Sequence, residues 1–588
     1  MINRPVLHIL LASLSGLFYP LCFPNFDLGI LAWVALVPLH LAIEGVAPSH
    51  AFRLGWLTGF IAFIGTMFWV VTAMHIYGRL PLPLSYAALA LLAAYLGGYV
   101  AVYAMLLAWL RKKLPSIAVL AAPFLWVTLE LIRTYLFSGL PWALLGYSQY
   151  LWLPAIQIAD LTGIYGVSFV IVLVNGASSE IILWILRRLN PDPYGQPFES
   201  FPWVPPTAAA LAMTTMLLYG QWSLLHAPLA LTFPPEGEEQ GKNSASFPSG
   251  KEPTAHSASP AREEQGKSLV VPAIERQKES RSISIGLVQP NIDQAQKWDR
   301  AYVRETLDRY RRLTAQVTDH ADLIIWPEAS TPFLFEQERE YRAEVAAMLQ
   351  PHTAPLLLGS PALRYYPSGR PYLLNSAYLF SSEGEILGRY DKRHLVPFGE
   401  YVPLRSVLFF LDKLVEGIGD FEAGTVPAIL ALPAPSQNSS GMTKEQSAKF
   451  GVVICFEVIF PDLVREFARD GAEFMVTITN DAWFGDSAAP FQHFGMVVFR
   501  AVENRLAFAR AANTGISGFI DPYGRILAAT PLFTEQAVTG RIPARNTPTF
   551  YSHYGDIFAY GCVIMAEIFL LVASLRRATR KRIRGYTP

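Results

Sequence analysis

The hydrophobic positions of the chain fall into long runs that are separated by short polar segments. Eight runs are close to the roughly 20 residues that an α-helix needs to cross about 30 Å of hydrocarbon. They cover residues 5–22, 27–44, 55–76, 84–110, 116–136, 164–188, 205–226 and 557–575. We therefore expect a multi-pass α-helical membrane domain with eight transmembrane helices, the first of them retained as an anchor and not cleaved.

A second pattern, in which short β-branched runs alternate with helical ones, follows the first seven runs. Strands are predicted at ISIGLVQ (283), LIIWPE (323), PLLLGS (355), SAYLF (376), GVVICFE (451) and FMVTIT (474). Helices are predicted over about 298–318, 336–350, 461–470 and 493–509, and SGFIDPYGRIL is predicted to form a hairpin. Continuous apolar strands separated by helices indicate a sheet covered on both faces, and so an α/β layered domain.

These patterns predict four regions. Residues 1–228 form a transmembrane domain of seven helices, and residues 229–282, rich in Pro, Gly, Ser, Glu and Lys, form a flexible tether. Residues 283–545 form the layered domain, in which the polar patch 433–448 is a surface insertion. Residues 546–588 hold the final transmembrane helix and a basic cytoplasmic tail.

Charge is distributed unevenly between these regions. Only 16 Asp, Glu, Lys and Arg residues lie within the first 226 positions, and 78 lie in the other 362. Overall the chain is 52% hydrophobic, with a mean hydropathy of +0.29 and a formal net charge of zero. This composition excludes a disordered chain and a nucleic-acid binder that depends on global positive charge.

The basic residues predict an orientation in the membrane. With a cytoplasmic N-terminus, the inner segments hold 13 Lys and Arg residues, and the short outer loops hold Arg79 alone. The positive-inside rule then places both termini in the cytoplasm and the layered domain on the outer face. Glu130, Arg133 and Glu180 fall inside predicted spans, where Glu130 and Arg133 can neutralise each other at i, i+3. A proton-driven transporter is the alternative, but the spans show no internal repeat.

Three reactive side chains come just past the ends of predicted buried strands. They are Glu328 in IIWPEAS, Lys392 in GRYDKRHLVPFGEY and Cys455 in GVVICFEVIFP. A thiol needs a base to remove its proton and a cation to stabilise negative charge, which Glu328 and Lys392 can supply. Lys392 and a backbone N–H next to Cys455 could hold an oxyanion. A Ser-His-Asp or Cys-His site has less support, because His394 and His493 lie in polar stretches without a partnered motif.

The motifs WPE, DKRHLVPFGEYVP, CFE and TNDAWFG resemble the Glu-Lys-Cys pattern of the nitrilase superfamily in order and spacing. The segment SGLPWALLGYSQ at 138–149 resembles the signature of the apolipoprotein N-acyltransferase family, and QPNIDQAQKWD opens the layered domain. The resemblance covers nearly the whole chain. It implies a nitrilase-like αββα sandwich as the fold of the layered domain.

The resemblance also implies a ping-pong acyl transfer. Cys455 would take an acyl chain from a membrane phospholipid, and the α-amine of a lipoprotein's N-terminal diacylglyceryl-cysteine would then attack the thioester. Glu328 would act as general base and then acid, and Lys392 would stabilise the tetrahedral intermediates. Glu400 matches the family's second acidic residue, and Glu457 and Trp298 match positions that line the site. Phe456 stands where the family often has tyrosine.

Both substrates in this hypothesis are lipids, so the site must lie at the membrane surface. In PLRSVLFFLDKL at 403–414, Phe409 and Phe410 belong to an apolar run that is predicted either to dip into the outer leaflet or to be core. Trp483 and Phe484 are candidates for the same acyl pocket, with a structural role as the alternative.

The leading hypothesis is therefore a phospholipid-dependent N-acyltransferase of a bacterial inner membrane, with its catalytic domain in the periplasm. We expect a monomer whose partners are the phospholipid donor, the diacylglyceryl apolipoprotein acceptor and the membrane, with no nucleic acid. No metal cluster and no Gly-rich phosphate loop is apparent, so we expect no metal and no cofactor. The alternatives are a membrane-tethered nitrilase-type amidase with the same three residues, and a non-catalytic transporter or scaffold.

Overall fold

The computed structural model describes residues 4–115, 117–189, 200–228, 281–294, 296–297, 299–401, 421–433 and 447–584. Within these ranges the chain forms a bundle of apolar helices and a domain of two β-sheets. Of the predicted tether at 229–282, all but the last two residues lie outside the described ranges. Residues 434–446, which make up most of the predicted surface insertion, lie outside them as well.

The helix bundle begins at the N-terminus and contains ten α-helices in the described part of the first 228 residues. They are α1 (Arg4–Leu21), α2 (Val37–Ala42), α3 (Pro48–Thr66), α4 (Trp69–Thr72), α5 (Leu82–Lys113), α6 (Ala118–Tyr135), α7 (Leu153–Ile156), α8 (Ala159–Thr162), α9 (Ile164–Leu189) and α10 (Val204–Leu225). A 3₁₀ helix, Gly29–Trp33, precedes α2, and a π-helix, Ala73–Tyr77, continues α4.

The layered domain is built from two six-stranded sheets. The first has the strand order β12-β1-β2-β3-β4-β5, and the second has the order β11-β10-β9-β8-β7-β6. The strands are β1 (Ser282–Gln289), β2 (Leu323–Ile325), β3 (Leu356–Tyr365), β4 (Pro371–Phe380), β5 (Ile386–Asp391), β6 (Ile429–Ala431), β7 (Lys449–Ile454), β8 (Phe474–Thr479), β9 (Phe508–Ala512), β10 (Gly518–Ile520), β11 (Ile526–Ala529) and β12 (Gln536–Pro543).

Helices cover the outer faces of both sheets. They are α11 (Val303–Thr314), α12 (Arg339–Leu349), α13 (Pro461–Arg469) and α14 (Ala489–Asn504), after which α15 (Phe550–Tyr554) leads into α16 (Ile557–Arg584). Neighbouring residues of β2 show the layering. Ile324 packs in a cluster with α11 and α12, whereas Leu323 and Ile325 pack in the larger cluster that includes the second sheet. This two-residue alternation buries both faces of the strand and gives an αββα sandwich.

In the part of the chain that the structure describes, six helices are long and apolar enough to cross a membrane: α1, α5, α6, α9, α10 and α16. A seventh span is possible if α3 and Trp69–Tyr77, which are bent by 52° relative to each other, count as one. The predicted span at 27–44 corresponds to the shorter apolar segment Gly29–Ala42. Several membrane-type helices joined to an α/β domain are thus confirmed, whereas the number of eight spans stays a prediction.

The predicted helix over 493–509 is wrong at its C-terminal end. The helix ends at Asn504 because Arg505 adopts the left-handed conformation, with φ of 51°, and strand β9 then begins at Phe508. An exposed C-cap would favour glycine in this conformation. Here the Arg505 side chain turns toward the bundle and binds there, which explains why an arginine occupies the position.

The sandwich docks on one end of the helix bundle through buried polar contacts, which we call the docking seam. Arg505 donates to the carboxylate of Asp160 in α8 at 2.7 Å and to the side-chain oxygen of Gln157 at 2.6 Å. Arg500 of α14 donates to the Tyr147 hydroxyl at 3.1 Å, and Gln492 accepts from the indole of Trp142 at 2.6 Å. These contacts give the layered domain a fixed position on the bundle.

A cluster of basic residues lies at the end of the bundle opposite the docking seam. Helix α5 has 32 residues, about 48 Å at 1.5 Å per residue, and Arg111 to Lys113 form its last turn. Arg111 is paired there with Glu44 at 2.9 Å and with Glu180 at 3.1 Å. Glu180, noted from the sequence as an intramembrane charge, is therefore part of a structural ion-pair cluster.

Glu130 and Arg133 do not neutralise each other by a direct ion pair. The Glu130 carboxylate accepts from the Trp126 indole at 3.0 Å and from the backbone N–H of Leu145 at 2.8 Å, and Arg133 donates to the Ala143 carbonyl at 3.4 Å. Both side chains instead hold the segment that follows α6. This is the SGLPWALLGYSQ segment, and it lies in the docking seam.

Candidate active site

Cys455 lies where strand β7 of the second sheet ends. Strand β7 ends at Ile454, and a 3₁₀ helix, Cys455–Ile459, begins at the cysteine. The backbone φ of Cys455 is 53°, a left-handed conformation that a residue with a Cβ adopts at a steric cost. This sharp turn places the side chain at the carboxyl end of the strand, and the residue as a whole is partly exposed.

Glu328 follows β2 of the first sheet and is almost fully buried. One carboxylate oxygen accepts from the side chain of Asn375 at 2.8 Å and from Lys392 at 3.3 Å. The other oxygen accepts from the backbone N–H of Asn480 at 2.9 Å. Gly359 makes this packing possible, because a Cβ at that position would come within 2.7 Å of the Glu328 Cα.

Lys392 directly follows β5, and its side chain is 1% exposed. It donates to Glu400 at 2.9 Å and to Glu328 at 3.3 Å, so one lysine is shared by two carboxylates. Asn375 also binds both carboxylates, at 2.8 Å and 2.9 Å. The second Glu400 oxygen accepts from the Val396 N–H at 2.8 Å, which fixes the turn between Lys392 and Glu400.

Electrostatics link these groups to the cysteine. Burial by itself lowers the pKa of Lys392, but the charges of Glu400 and Glu328 outweigh it and raise that pKa well above its usual value. Burial raises the pKa of the Cys455 thiol, the charge of Glu328 raises it further, and Lys392 acts in the opposite direction. The resting site thus combines a permanent ammonium with a protonated thiol that requires a base.

Glu457 connects the two sheets behind the reactive groups and is fully buried. One oxygen accepts from the hydroxyl of Tyr390 in β5 at 2.8 Å and from the backbone N–H of Arg393 at 2.6 Å, and the other accepts from the N–H of Ile454 at 2.7 Å. Burial raises the pKa of Glu457 to about 7. Glu457 therefore holds the turn after Lys392 against the turn that carries Cys455.

Lys297 is a second buried ammonium near the site, and no sequence motif indicated its role. It donates to the main-chain oxygen of Glu328 at 3.0 Å. Burial lowers the pKa of Lys297 to about 8, against the opposing charges of Glu328 and Cys455. Asn375, which lies inside β4, was missed as well, because a polar residue within an apolar strand carries no local signal of what it faces.

The two histidines that had no partnered motif in the sequence have partners in the structure. His394 packs its ring 3.8 Å from that of Phe460, and burial lowers its pKa to about 4. His493 is fully buried and lies 3.0 Å from the Asp481 carboxylate. Its other nitrogen faces the main-chain oxygen of Cys455 at 3.1 Å, so this hydrogen bond to Cys455 is to the backbone.

The aromatic candidates are placed differently. Phe456 is buried, with its ring 5.3 Å from that of Phe460. Trp483 packs 5.7 Å from Tyr77, and Phe484 packs 4.9 Å from Trp69, so both meet the helix bundle. Their assignment to an acyl pocket stays a prediction. Trp298, Phe409 and Phe410 lie outside the described residues.

A carboxylate, an ammonium and a thiol at the paired ends of two sheets can carry out acyl transfer through a thioester. Among the described residues, no group of three or more His, Cys, Asp or Glu side chains could hold a metal ion. The sandwich and this site define the class of carbon-nitrogen hydrolases, and the family model "Carbon-nitrogen hydrolase" matches residues 284–549.

The helix bundle identifies the family within that class, since the model "Apolipoprotein N-acyltransferase N-terminal domain" matches residues 15–177. The chain is 38% identical to the apolipoprotein N-acyltransferase of Geobacter metallireducens, over 97% of this chain and 96% of that protein. It is 32% identical to the enzyme of that name from Pseudomonas paraeruginosa, over 98% and 97%. The chain therefore belongs to the apolipoprotein N-acyltransferase family.

Solved structures of smaller proteins also match. A mutant amidase of the nitrilase superfamily from Nesterenkonia is 19% identical, with a TM-score of 0.33, over 48% of this chain and 95% of the amidase.

Proposed function

We propose that the protein transfers an acyl chain from a membrane phospholipid to the α-amino group of the N-terminal diacylglyceryl-cysteine of apolipoproteins. The observation that carries this proposal is the meeting of Glu328, Lys392 and the Cys455 turn at the adjoining ends of the two sheets, in a chain whose family is defined over nearly its full length. The acyl group would be carried between the substrates as a thioester on Cys455.

In the first half-reaction, Glu328 takes the proton of the Cys455 thiol as the sulfur attacks the ester carbonyl of the phospholipid. A carbon–sulfur bond forms, and the carbonyl oxygen becomes an oxyanion. Lys392 and the backbone N–H of Phe456 stabilise that charge. The intermediate then collapses, the ester carbon–oxygen bond breaks, and protonated Glu328 gives its proton to the departing lysophospholipid alkoxide.

In the second half-reaction, the neutral amine of the diacylglyceryl-cysteine attacks the thioester carbonyl. A carbon–nitrogen bond forms, Glu328 takes a proton from the nitrogen, and the same oxyanion donors act again. Breakage of the carbon–sulfur bond releases the amide, and the proton on Glu328 returns to the sulfur. The raised pKa of the Cys455 thiol makes that return favourable and makes a nearby base necessary at the start.

The surrounding residues have supporting roles in this proposal. Glu400 and Asn375 fix the position of Lys392, and Glu457 fixes the two turns that carry Lys392 and Cys455. We assign Trp298, Phe409, Phe410, Trp483 and Phe484 to binding the lipid substrates, and buried Phe456 to packing around its own backbone N–H.

The proposed location is a bacterial inner membrane. The basic cluster at Arg111 would lie at the cytoplasmic face and the sandwich, at the other end of the bundle, in the periplasm. Both termini would be cytoplasmic, with residues 229–282 as a tether, 283–545 as the catalytic domain and the protein a monomer. A site held at the outer face can reach two substrates whose chains remain in the bilayer.

The test is intact mass spectrometry of the purified protein with phospholipid, followed by a diacylglyceryl-cysteine peptide. We expect an acyl adduct on Cys455 that the peptide discharges, with formation of the N-acyl peptide, and no adduct on Cys455→Ala. Discharge by water at the same rate without peptide would show a hydrolase instead. No adduct with any phospholipid would contradict the thioester mechanism.

A further inference from the structure

The main-chain carbonyl of Cys455, the proposed nucleophilic residue, accepts a hydrogen bond from a side chain in a different helix. Nε2 of His493, in the first half of α14, lies 3.1 Å from the main-chain oxygen of Cys455. His493 is 0% exposed, and Cys455 has the left-handed φ of 53° described above. A strained turn of this kind is maintained only when surrounding contacts determine it, and this hydrogen bond is one of those contacts.

The direction of that hydrogen bond follows from its partners. A carbonyl oxygen can only accept, so Nε2 of His493 must carry a proton. Nδ1 lies 3.1 Å from an Arg510 nitrogen and 3.0 Å from an Asp481 oxygen. Neutral imidazole protonated at Nε2 accepts from Arg510, and imidazolium donates to Asp481. In both forms Nε2–H donates to the Cys455 carbonyl.

The partners of Nδ1 are themselves fixed. Arg510 donates to the second Asp481 oxygen at 2.6 Å, and the hydroxyl of Thr479 donates to the first at 2.9 Å. Arg510 and Asp481 are buried to the same degree as the imidazole. Burial, followed by the charge of Arg510, lowers the pKa of His493, which favours the neutral Nε2–H form. The ring is thus held in one orientation.

Because the Cys455 carbonyl is held in one orientation, the direction of a neighbouring backbone N–H is fixed as well. The carbonyl of Cys455 and the N–H of Phe456 belong to one planar trans peptide, in which the two groups point in opposite directions. Any rotation that breaks the bond from His493 would therefore turn the Phe456 N–H away as well. That N–H is the backbone donor assigned to the oxyanion in the proposed function.

We propose that His493 is a positioning residue that fixes the peptide plane between Cys455 and Phe456 and so aims the Phe456 N–H at the oxyanion. This inference rests on the proposed function. Trp142 of the SGLPWALLGYSQ segment stacks on His493, with ring centres 5.8 Å apart at 28°. Through this contact the helix bundle supports the nucleophile turn, in addition to anchoring the domain.

The experiment compares two reactions of the same sulfur in full-length protein. Acylation by phospholipid passes through an oxyanion. Alkylation by iodoacetamide does not, because the thiolate displaces iodide as the carbon–sulfur bond forms. For His493→Leu we expect acylation of Cys455 to be about 10- to 100-fold slower at saturating phospholipid. The alkylation rate, measured on the Cys455 peptide by mass spectrometry, should stay within threefold of wild type, and the phospholipid KM should be unchanged.

Two further variants make the test specific. His493→Gln can still donate an N–H to the carbonyl and should recover part of the acylation rate. His40→Gln removes another fully buried histidine, which lies 2.7 Å from the Tyr103 hydroxyl near Arg111, and should leave the ratio of the two rates unchanged.

Equal losses of acylation and alkylation in His493→Leu would overturn the proposal and show that the residue only maintains the fold. Acylation within threefold of wild type would overturn it too. These results are distinct from failure of the proposed function, in which wild-type protein itself would form no acyl adduct while its alkylation proceeds.

Discussion

The proposed active site and the docking seam both bury charged side chains, but they pair them differently. In the seam, Arg505 has one carboxylate partner, Asp160, and its remaining donors bind Gln157, Ser223 and a main-chain oxygen. In the site, Lys392 is shared by Glu328 and Glu400. A buried charge with its own partner serves structure, whereas a carboxylate that shares its ammonium with a second carboxylate can accept a proton during a reaction.

The largest effect should come from removing the charge of Glu328, one of the two carboxylates that share Lys392. Glu328→Gln keeps the size of the side chain but removes the base, so the acylation rate of Cys455 should fall by about 10³-fold or more. The melting temperature should change little, because Lys392 keeps Glu400 as a partner. The measurement is the rate of adduct formation by intact mass spectrometry.

The matched control is Glu340→Gln, at a glutamate whose side chain is 86% exposed, which should leave the rate unchanged. Acylation by Glu328→Gln within tenfold of wild type would rule out Glu328 as the base.

The seam should show the opposite response, with a loss of stability and little loss of chemistry. Asp160→Asn leaves the Arg505 guanidinium buried without its carboxylate, at a cost of about 3–5 kcal/mol in the free energy of unfolding. Arg505→Met, which removes the charge, should partly rescue Asp160→Asn in the double variant. Thermal unfolding in detergent measures both effects.

The rate per folded molecule should stay near that of wild type in these seam variants. If kcat instead falls while the melting temperature is preserved, the distinction between seam and site does not hold.

The sequence was sufficient to propose the reactive groups, and it was insufficient to predict the side chains that hold them in place. Glu328, Lys392 and Cys455 could be proposed because the motifs around them match a family pattern in order and spacing. Asn375 and His493 could not, since their roles depend on which strand or helix face meets the site. Such relations between distant segments leave no periodic pattern.

The same limit explains the incomplete prediction of the fold. Apolar runs predicted where the long helices lie, but β5, β6, β9 and β12 were not predicted as strands. Strand β9 was assigned partly to the preceding helix, because the propensities around residue 505 give no sign that Arg505 would terminate it. Tertiary contacts of the Arg505 side chain, including those with Asp160 and Gln157, accompany that left-handed turn.

The pH dependence of stability tests the role of Glu457, a buried carboxylate that makes hydrogen bonds but no direct ion pair among the described residues. The pKa of Glu457 rises from an ordinary 4.5 to about 7 on folding. Its stabilising contribution is therefore fully present below pH 4.5, and it is lost as the pH rises through 7, by up to about 3 kcal/mol. Glu457→Gln cannot titrate. Wild-type stability should therefore decline relative to this variant between pH 5 and 7.5, as measured by thermal unfolding.

A constant offset between the two proteins is also expected, because the glutamine amide cannot accept from every N–H that Glu457 binds. A difference in stability that does not depend on pH would contradict the assigned pKa.

The smallest effect should come from an ion pair that lies close to the site but is open to solvent. Arg393 and Glu466 meet at 2.6 Å, with 21% and 26% of their side chains exposed, directly after Lys392 in sequence. Glu466→Gln should cost less than about 1 kcal/mol, because water screens the pair, and it should leave the acylation rate within twofold. The main-chain N–H of Arg393 stays bound to Glu457. A tenfold loss of the acylation rate in Glu466→Gln would show that partly exposed charged residues also contribute to catalysis. Burial would then not distinguish the catalytic charges from the structural ones.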